Sequence, residues 1–224
     1  MKTVPTLLTT TIEEFISQMN TFQRYYDRIQ LDIADGQLVP NTTVQINEML
    51  DVFSSNQVTI FPNITFDFHL MVSDYEAELE KIVKIQEENI QVNTVLINAS
   101  HEVNIGEMNS SYSFSIGLDV FPDVSIDNLA RNYDLDYVPS IQIMTVNPGF
   151  QGSPFLPQML QKIEQLRAQG YNGEILIDGG VNSNSLPTVS SQSYQPDIIC
   201  IGSYLTKAGA DLERRINELK KFDQ

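Results

Sequence analysis

The stretch IQLDIADGQLVPN, residues 29–41, alternates oily and polar side chains and then breaks at a glycine. In an extended strand successive side chains point to opposite faces. Ile29, Leu31 and Ile33 therefore share one face, and Gln30, Asp32 and Ala34 share the other. An amide and a carboxylate sit side by side on a strand that is otherwise apolar. A polar pair in that position needs a partner, an ion or an opening to water.

Runs of strand length recur along the chain: VPTLL (4–8), RIQLDIA (28–34), DFHLMV (67–72), TVLINA (94–99), FSIGLDV (114–120), SIQIMTV (140–146), EILIDG (174–179) and DIICIG (197–202). Their Ile, Val and Leu content is that of strands covered on both faces. Between them the apolar spacing turns helical. Ile12, Phe15, Ile16 and Met19 form one stripe, and Leu79, Ile82 and Val83 form another behind a predicted N-cap at Asp74. Leu156, Leu160, Ile163 and Leu166 form a third that ends at Gly170, and DLERRINELKKF closes the chain. Eight strands alternating with helices in 224 residues predict an α/β fold, a (β/α)8 TIM barrel forming a single domain over 1–224. The length is short for that architecture, so some helices should shrink to one turn. An open doubly wound sheet is the competing arrangement.

Composition narrows the function. The chain is 42% hydrophobic and 19% charged, with 29 Asp and Glu against 13 Lys and Arg and a net charge of −16. A nucleic-acid partner needs a dense basic patch, so none is expected, nor is an anionic membrane surface. An anionic substrate would have to be held by local donors against the global field. Cys200 is the single cysteine, which excludes an intrachain disulfide and reads as a small buried hydrophobe in DIICIG. MKTVPTLLTTT is too short an apolar stretch for a secretory signal, and no run approaches the ~20 residues of a membrane span. A cytoplasmic location is the expectation, and the Asn-x-Ser/Thr matches at Asn41, Asn63, Asn98 and Asn109 read as chance.

In a barrel, alternate residues point inward and chemistry gathers where the strands end. The alternation rule puts Gln30 and Asp32 inside, groups Asp67, His69 and Met71, and turns Asp178 inward beside outward Ile175 and Ile177. A second set is glycine-rich: NPGFQG (147–152), DGG (178–180) and GS (202–203), each at a late strand end. Backbone N–H groups free of side chains can approach an anion, and barrel phosphate sites commonly use the last loops.

These motifs resemble the ribulose-phosphate 3-epimerase family nearly end to end. LDIADGQLVPN resembles its second-strand motif and HLMV its third. IMTVNPGFQGSPFLPQMLQKIEQLR resembles its sixth strand and following helix, and DGG and IGS its last two. The resemblance implies inversion at C3 of a ketose phosphate, interconverting D-ribulose 5-phosphate and D-xylulose 5-phosphate or a similar pair. In that family two aspartates remove and return the C3 proton through an enediolate, and a divalent cation (Zn, Fe, Mn or Mg) holds the C2 and C3 oxygens. A Lewis acid is needed because a carboxylate is too weak a base for a proton beside a carbonyl.

Carried over by position, Asp32 and Asp178 are the acid/base carboxylates, and Asp32, His69, Asp178 and Gln30 the metal ligands. Thr6 stands where the family has a Ser that contacts substrate. Met71 and Met144 cap the reacting carbons. Gly149, Phe150, Gln151, Gly152, Gly179, Gly180, Gly202 and Ser203 hold the phosphate, and His69 joins the substrate-binding set. The implied partner is a small-molecule sugar phosphate, and the implied assembly a homo-oligomer.

Three departures stand out. Gln30 replaces a histidine ligand with a hard, neutral amide, weaker than imidazole for zinc and better suited to manganese or magnesium. Ala34 replaces a shielding methionine. Near the fourth strand end, where the family has a His, the chain reads INASHE, with Asn98 in that place and His101 three residues on. The departures keep open a catalytically impaired paralogue that binds sugar phosphate without epimerising it. A decarboxylase or aldolase on the same barrel needs a lysine in an Asp-x-Lys-x-x-Asp run, and Asp32-Ile33-Ala34-Asp35 has none. Walker loops, dinucleotide fingerprints and paired CxxC motifs are also missing from the sequence.

Overall fold

A computed structural model describes residues 1–149 and 152–222. Eight parallel strands close on themselves in sequence order: β1 (Lys2–Leu7), β2 (Arg28–Ala34), β3 (Thr65–Met71), β4 (Gln91–Asn98), β5 (Ser115–Val120), β6 (Ser140–Met144), β7 (Glu174–Asp178) and β8 (Ile198–Ile201). β8 pairs with β1, so the sheet is a barrel and the open doubly wound alternative does not apply. Closure leaves no strand edge to protect. β1 and β4 begin earlier than the apolar runs suggest, at Lys2 and Gln91, because the ladder extends through mostly polar residues that hydrophobicity does not mark.

The helices follow the sequence spacing and shorten toward the end of the chain. Ile12–Phe22 starts where Thr11 accepts the Glu14 N–H, and Tyr75–Glu87 where Asp74 accepts the Ala77 N–H at 3.1 Å. Those side chains satisfy donors that a helix start leaves unpaired. The third stripe is a 3₁₀ turn, Pro157–Leu160, running into the helix Gln161–Ala168. After β7 the helix is Leu186–Ser190, and after β8 it is Ser203–Thr206 followed by Leu212–Leu219. One- and two-turn helices are how this chain fits the barrel into its length.

Alternation divides the apolar residues into two cores. Outward-facing Ile29, Leu31, Ile33, Phe66, Phe68, Ile116 and Leu118 meet Phe15, Met19, Met49, Leu79 and Ile82 from the helices. Full burial of each such side chain is worth about 1.5–3 kcal/mol. Inside the barrel the apolar cluster is small: Val4, Leu96, Leu176, Ile198 and Cys200. Much of the rest of the interior is polar. At the N-terminal end of the strands Arg28 lies between two carboxylates, 2.6 Å from Asp67 and 3.1 Å from Glu174, and Asn93 donates to the other Asp67 oxygen at 2.9 Å. Charge and amide close that end. The opposite end carries the polar residues at which the sequence pointed.

Candidate active site at the barrel mouth

Strand register brings the inward polar residues to one level. Asp32 pairs with His69 across β2 and β3, Met144 with Asp178 across β6 and β7, and Asp178 with Cys200 across β7 and β8. One ligand atom from each of Asp32, His69 and Asp178 lies within 4.8 Å of the others. His69 Nδ1 is 3.2 Å from Asp32 Oδ1 and 3.8 Å from Asp178 Oδ2. Asp32 and Asp178 are each 5% exposed, and that small area faces the cavity above them.

Gln30 sits beneath the two aspartates, fully buried. Its amide Nε2 donates to Asp178 Oδ2 at 2.7 Å and to Asp32 Oδ1 at 3.1 Å. Its Oε1 accepts the Cys200 thiol at 3.1 Å. Two acceptors on one side and a thiol donor on the other fix which way the amide faces. In this arrangement Gln30 is a donor that bridges the carboxylates, and its oxygen points away from them. Cys200 is buried, as its setting suggested, and adds a polar role that a small hydrophobe would not have. Gln142 of β6 completes this layer, with Nε2 3.5 Å from Asp178 Oδ2.

The electrostatics follow from this crowding. Burial, and then repulsion from Asp32, pushes the Asp178 carboxyl up from its ordinary 3.8 to about 8. Burial alone would depress His69, but the Asp119 and Asp32 carboxylates outweigh it and hold the ring well above the usual imidazole value. Asp119, on β5, is completely buried, with Oδ2 3.1 Å from His69 Nε2 and 3.2 Å from Asn98 Nδ2.

The cavity above the aspartates, about 480 Å³ with its open mouth, is lined by Thr6, Met71, Met144, Gly149, Gly152, Gly179, Gly180, Gly202 and Ser203. Thr6 Oγ1 is buried and has no hydrogen-bond partner among the described residues. His69 and Gln30 lie deeper and do not line it, and Phe150 and Gln151 fall outside the described residues. Gly179 and Gly180 have φ of +109° and +68°. A Cβ on Gly179 would lie 2.3 Å from Val146 Cγ2, and one on Gly180 2.9 Å from the Phe155 N. Only glycine fits this turn, which leaves bare backbone facing the cavity.

Thr145, which sequence reasoning passed over, anchors the same turn. Its N–H donates to Asp178 O at 2.7 Å, and its hydroxyl contacts Asp178 O at 2.9 Å and Gly179 O at 2.6 Å. Asp35 ties down the neighbouring loop by accepting from Gln37 N, Ser73 N and Ser73 Oγ. His101 turns away from the cluster, with Nε2 3.1 Å from Val72 O and its ring 4.8 Å from that of Tyr75. Ala34 packs with Val39 and Met71 at the rim.

Two carboxylates and an imidazole, buried and within reach of a single point, form a donor set suited to a divalent cation. The Thr6 hydroxyl without a partner and the glycine cradle are the corresponding fit for a polar, anionic ligand. Among the described residues no helix is long and apolar enough to cross a membrane.

Comparison with known proteins agrees with this geometry. Solved tryptophan synthase structures from Pyrococcus furiosus share the fold, one with a TM-score of 0.62 at 12% identity over 98% of both chains. The "Ribulose-phosphate 3-epimerase" of Helicobacter pylori is 26% identical over 212 residues, 93% of this chain and 92% of its own. That of Synechocystis is 33% identical over 168 residues, 71% of this chain and 67% of its own. The model of the ribulose-phosphate 3-epimerase family matches residues 2–206. Barrel, paired aspartates and near-full-length match agree, and this chain belongs to the ribulose-phosphate 3-epimerase family.

Proposed function

We propose that the protein inverts C3 of a ketose phosphate, interconverting D-ribulose 5-phosphate and D-xylulose 5-phosphate or a close analogue. The observation that carries this reading is the pair of buried carboxylates, Asp32 and Asp178, under a cavity whose rim is glycine backbone. Inversion needs two proton-handling groups, because the proton returns to the face opposite the one it left. Asp32 arrives on β2 and Asp178 on β7, with β8 and β1 between them in the barrel, so the two approach the cavity from different sides.

Asp32 takes the C3 proton, the C3–H electron pair moves into the C2–C3 bond, and the carbonyl oxygen becomes an enediolate oxygen. Asp178, on the opposite side of the cavity, returns a proton to the other face of C3. The reverse reaction exchanges the two roles. Asp32, His69 and Asp178 would hold a divalent ion, whose charge would offset the negative charge developing on the substrate oxygens. Met71 and Met144 keep water from the reacting carbons, Thr6 Oγ1 meets a substrate hydroxyl, and Gly149, Gly152, Gly179, Gly180, Gly202 and Ser203 receive the phosphate. The chain is read as one catalytic domain that assembles with copies of itself.

Purified protein supplied with manganese should interconvert the two pentulose phosphates and, in D₂O, place deuterium at C3. Failure to turn over any ketose phosphate with any divalent ion refutes the proposal. The orientation of Gln30 favours a second reading, a sugar-phosphate binder that has lost catalysis, because the amide donates to both carboxylates that the reaction needs. Metal retained in stoichiometric amount after dialysis supports the enzyme. Turnover confined to Gln30→His supports the binder.

A further inference from the structure

We propose that Asp119 is a positioning residue that fixes the His69 ring so that Nδ1 presents its lone pair to a cation held with Asp32 and Asp178. This rests on the reading of those three residues as a cation site. Nothing in the established family assignment gives β5 a role in the site.

The imidazole is completely buried and has a carboxylate on each side: Asp32 Oδ1 at 3.2 Å from Nδ1 and Asp119 Oδ2 at 3.1 Å from Nε2. Nδ1 also looks toward Asp178 Oδ2 at 3.8 Å, so it is the nitrogen that faces the cluster. Nε2 faces the barrel wall and Asp119.

A buried carboxylate is costly unless something nearby compensates it. Asp119 has Asn98 Nδ2 at 3.2 Å, the His69 ring and the more distant Lys162 ammonium to do so, and its Oδ1 has no hydrogen-bond partner among the described residues. Its placement makes sense as the anchor of His69. A ring can offer a lone pair at one nitrogen only by carrying its proton on the other, and an acceptor behind that other nitrogen selects the tautomer, sets the ring plane and strengthens the ligand. The Nε2–Asp119 contact is close, though its angle falls short of hydrogen-bond alignment.

The test uses the intact protein loaded with zinc, which is diamagnetic. The chain has two histidines, so the two ring signals in a ¹⁵N–¹H long-range correlation spectrum are assigned with one His101→Gln variant. The wild type should show His69 protonated at Nε2 and zinc-bound at Nδ1. Zinc affinity, measured by competition with a chromophoric chelator, should fall about 10- to 100-fold in Asp119→Ala. It should fall by less in Asp119→Asn, whose amide oxygen can still accept the Nε2 proton. An Nδ1-protonated His69 in the zinc-loaded wild type, unchanged affinity in Asp119→Ala, or a wild type that takes up no zinc each overturns the proposal. Should Asp119→Ala not fold, the wild-type spectrum decides alone. None of these readouts is turnover. A tautomer and affinity series as expected in a protein that epimerises nothing would leave Asp119 in place and retire the catalytic reading.

Discussion

Replacing Asp178 by Asn should stabilise the metal-free protein while destroying its activity. The carboxyl is held protonated to about pH 8 in the folded chain, against an ordinary value of 3.8. Between those limits the folded state holds a proton that the unfolded chain has released. Stability must then fall as pH rises from about 4 to about 8, and level off outside that window. At pH 7 the cost reaches on the order of 4 kcal/mol at 1.36 kcal/mol per pH unit, and relaxation and water entry would reduce it to roughly 2 kcal/mol. Asn keeps the shape, never ionises, and can still accept from Gln30 Nε2. Urea unfolding in EDTA at several pH values between 4.5 and 8.5 measures the difference directly. The gap between variant and wild type should be near zero at the acid end and widen steadily to pH 8. Turnover with manganese should drop by at least about 10²- to 10⁴-fold. A gap that stays constant with pH, or a variant less stable than wild type at pH 8, would refute the claim that burial and Asp32 hold this proton in place.

Other outcomes can be checked independently. Cation uptake near pH 7 should expel protons, because Asp178 and His69 are both pushed toward their protonated forms and a ligand must give the proton up, and calorimetry in buffers of different ionisation enthalpy would register the release. Below pH 8 the affinity should weaken with falling pH. Gly179→Ala places a Cβ 2.3 Å from Val146 Cγ2 at a φ of +109°, so it should cost about 1–3 kcal/mol and raise KM for a phosphorylated substrate at least tenfold. An unchanged KM would remove this turn from the anion cradle. Arg28→Met leaves Asp67 buried and without its cation, so thermal or urea unfolding should show a loss of about 3–5 kcal/mol, much of it recovered by adding Asp67→Asn.

Much of the architecture was legible because period-two alternation and helical spacing are local properties. They located all eight strands and placed Asp32, His69 and Asp178 on the inside. The same rule applied to SIGLDV and SIQIM would have turned Asp119 and Gln142 inward as well. Those strands read as apolar runs, in which a single polar side chain does not stand out from its oily neighbours. The orientation of Gln30 could not be read from any window of sequence. It depends on a thiol 170 residues away that reaches it only once the barrel closes. Strand limits at Lys2 and Gln91 were missed for the opposite reason, since backbone pairing continues where oily side chains stop.

The Arg28, Asp67 and Glu174 group has a consequence for traffic. Among the described residues, fixed charge occupies the floor of the barrel, and the cavity that reaches the aspartates opens at the glycine rim. A cation held by Asp32, His69 and Asp178 would leave by the opening that the sugar fills, so bound sugar should slow the escape of the ion.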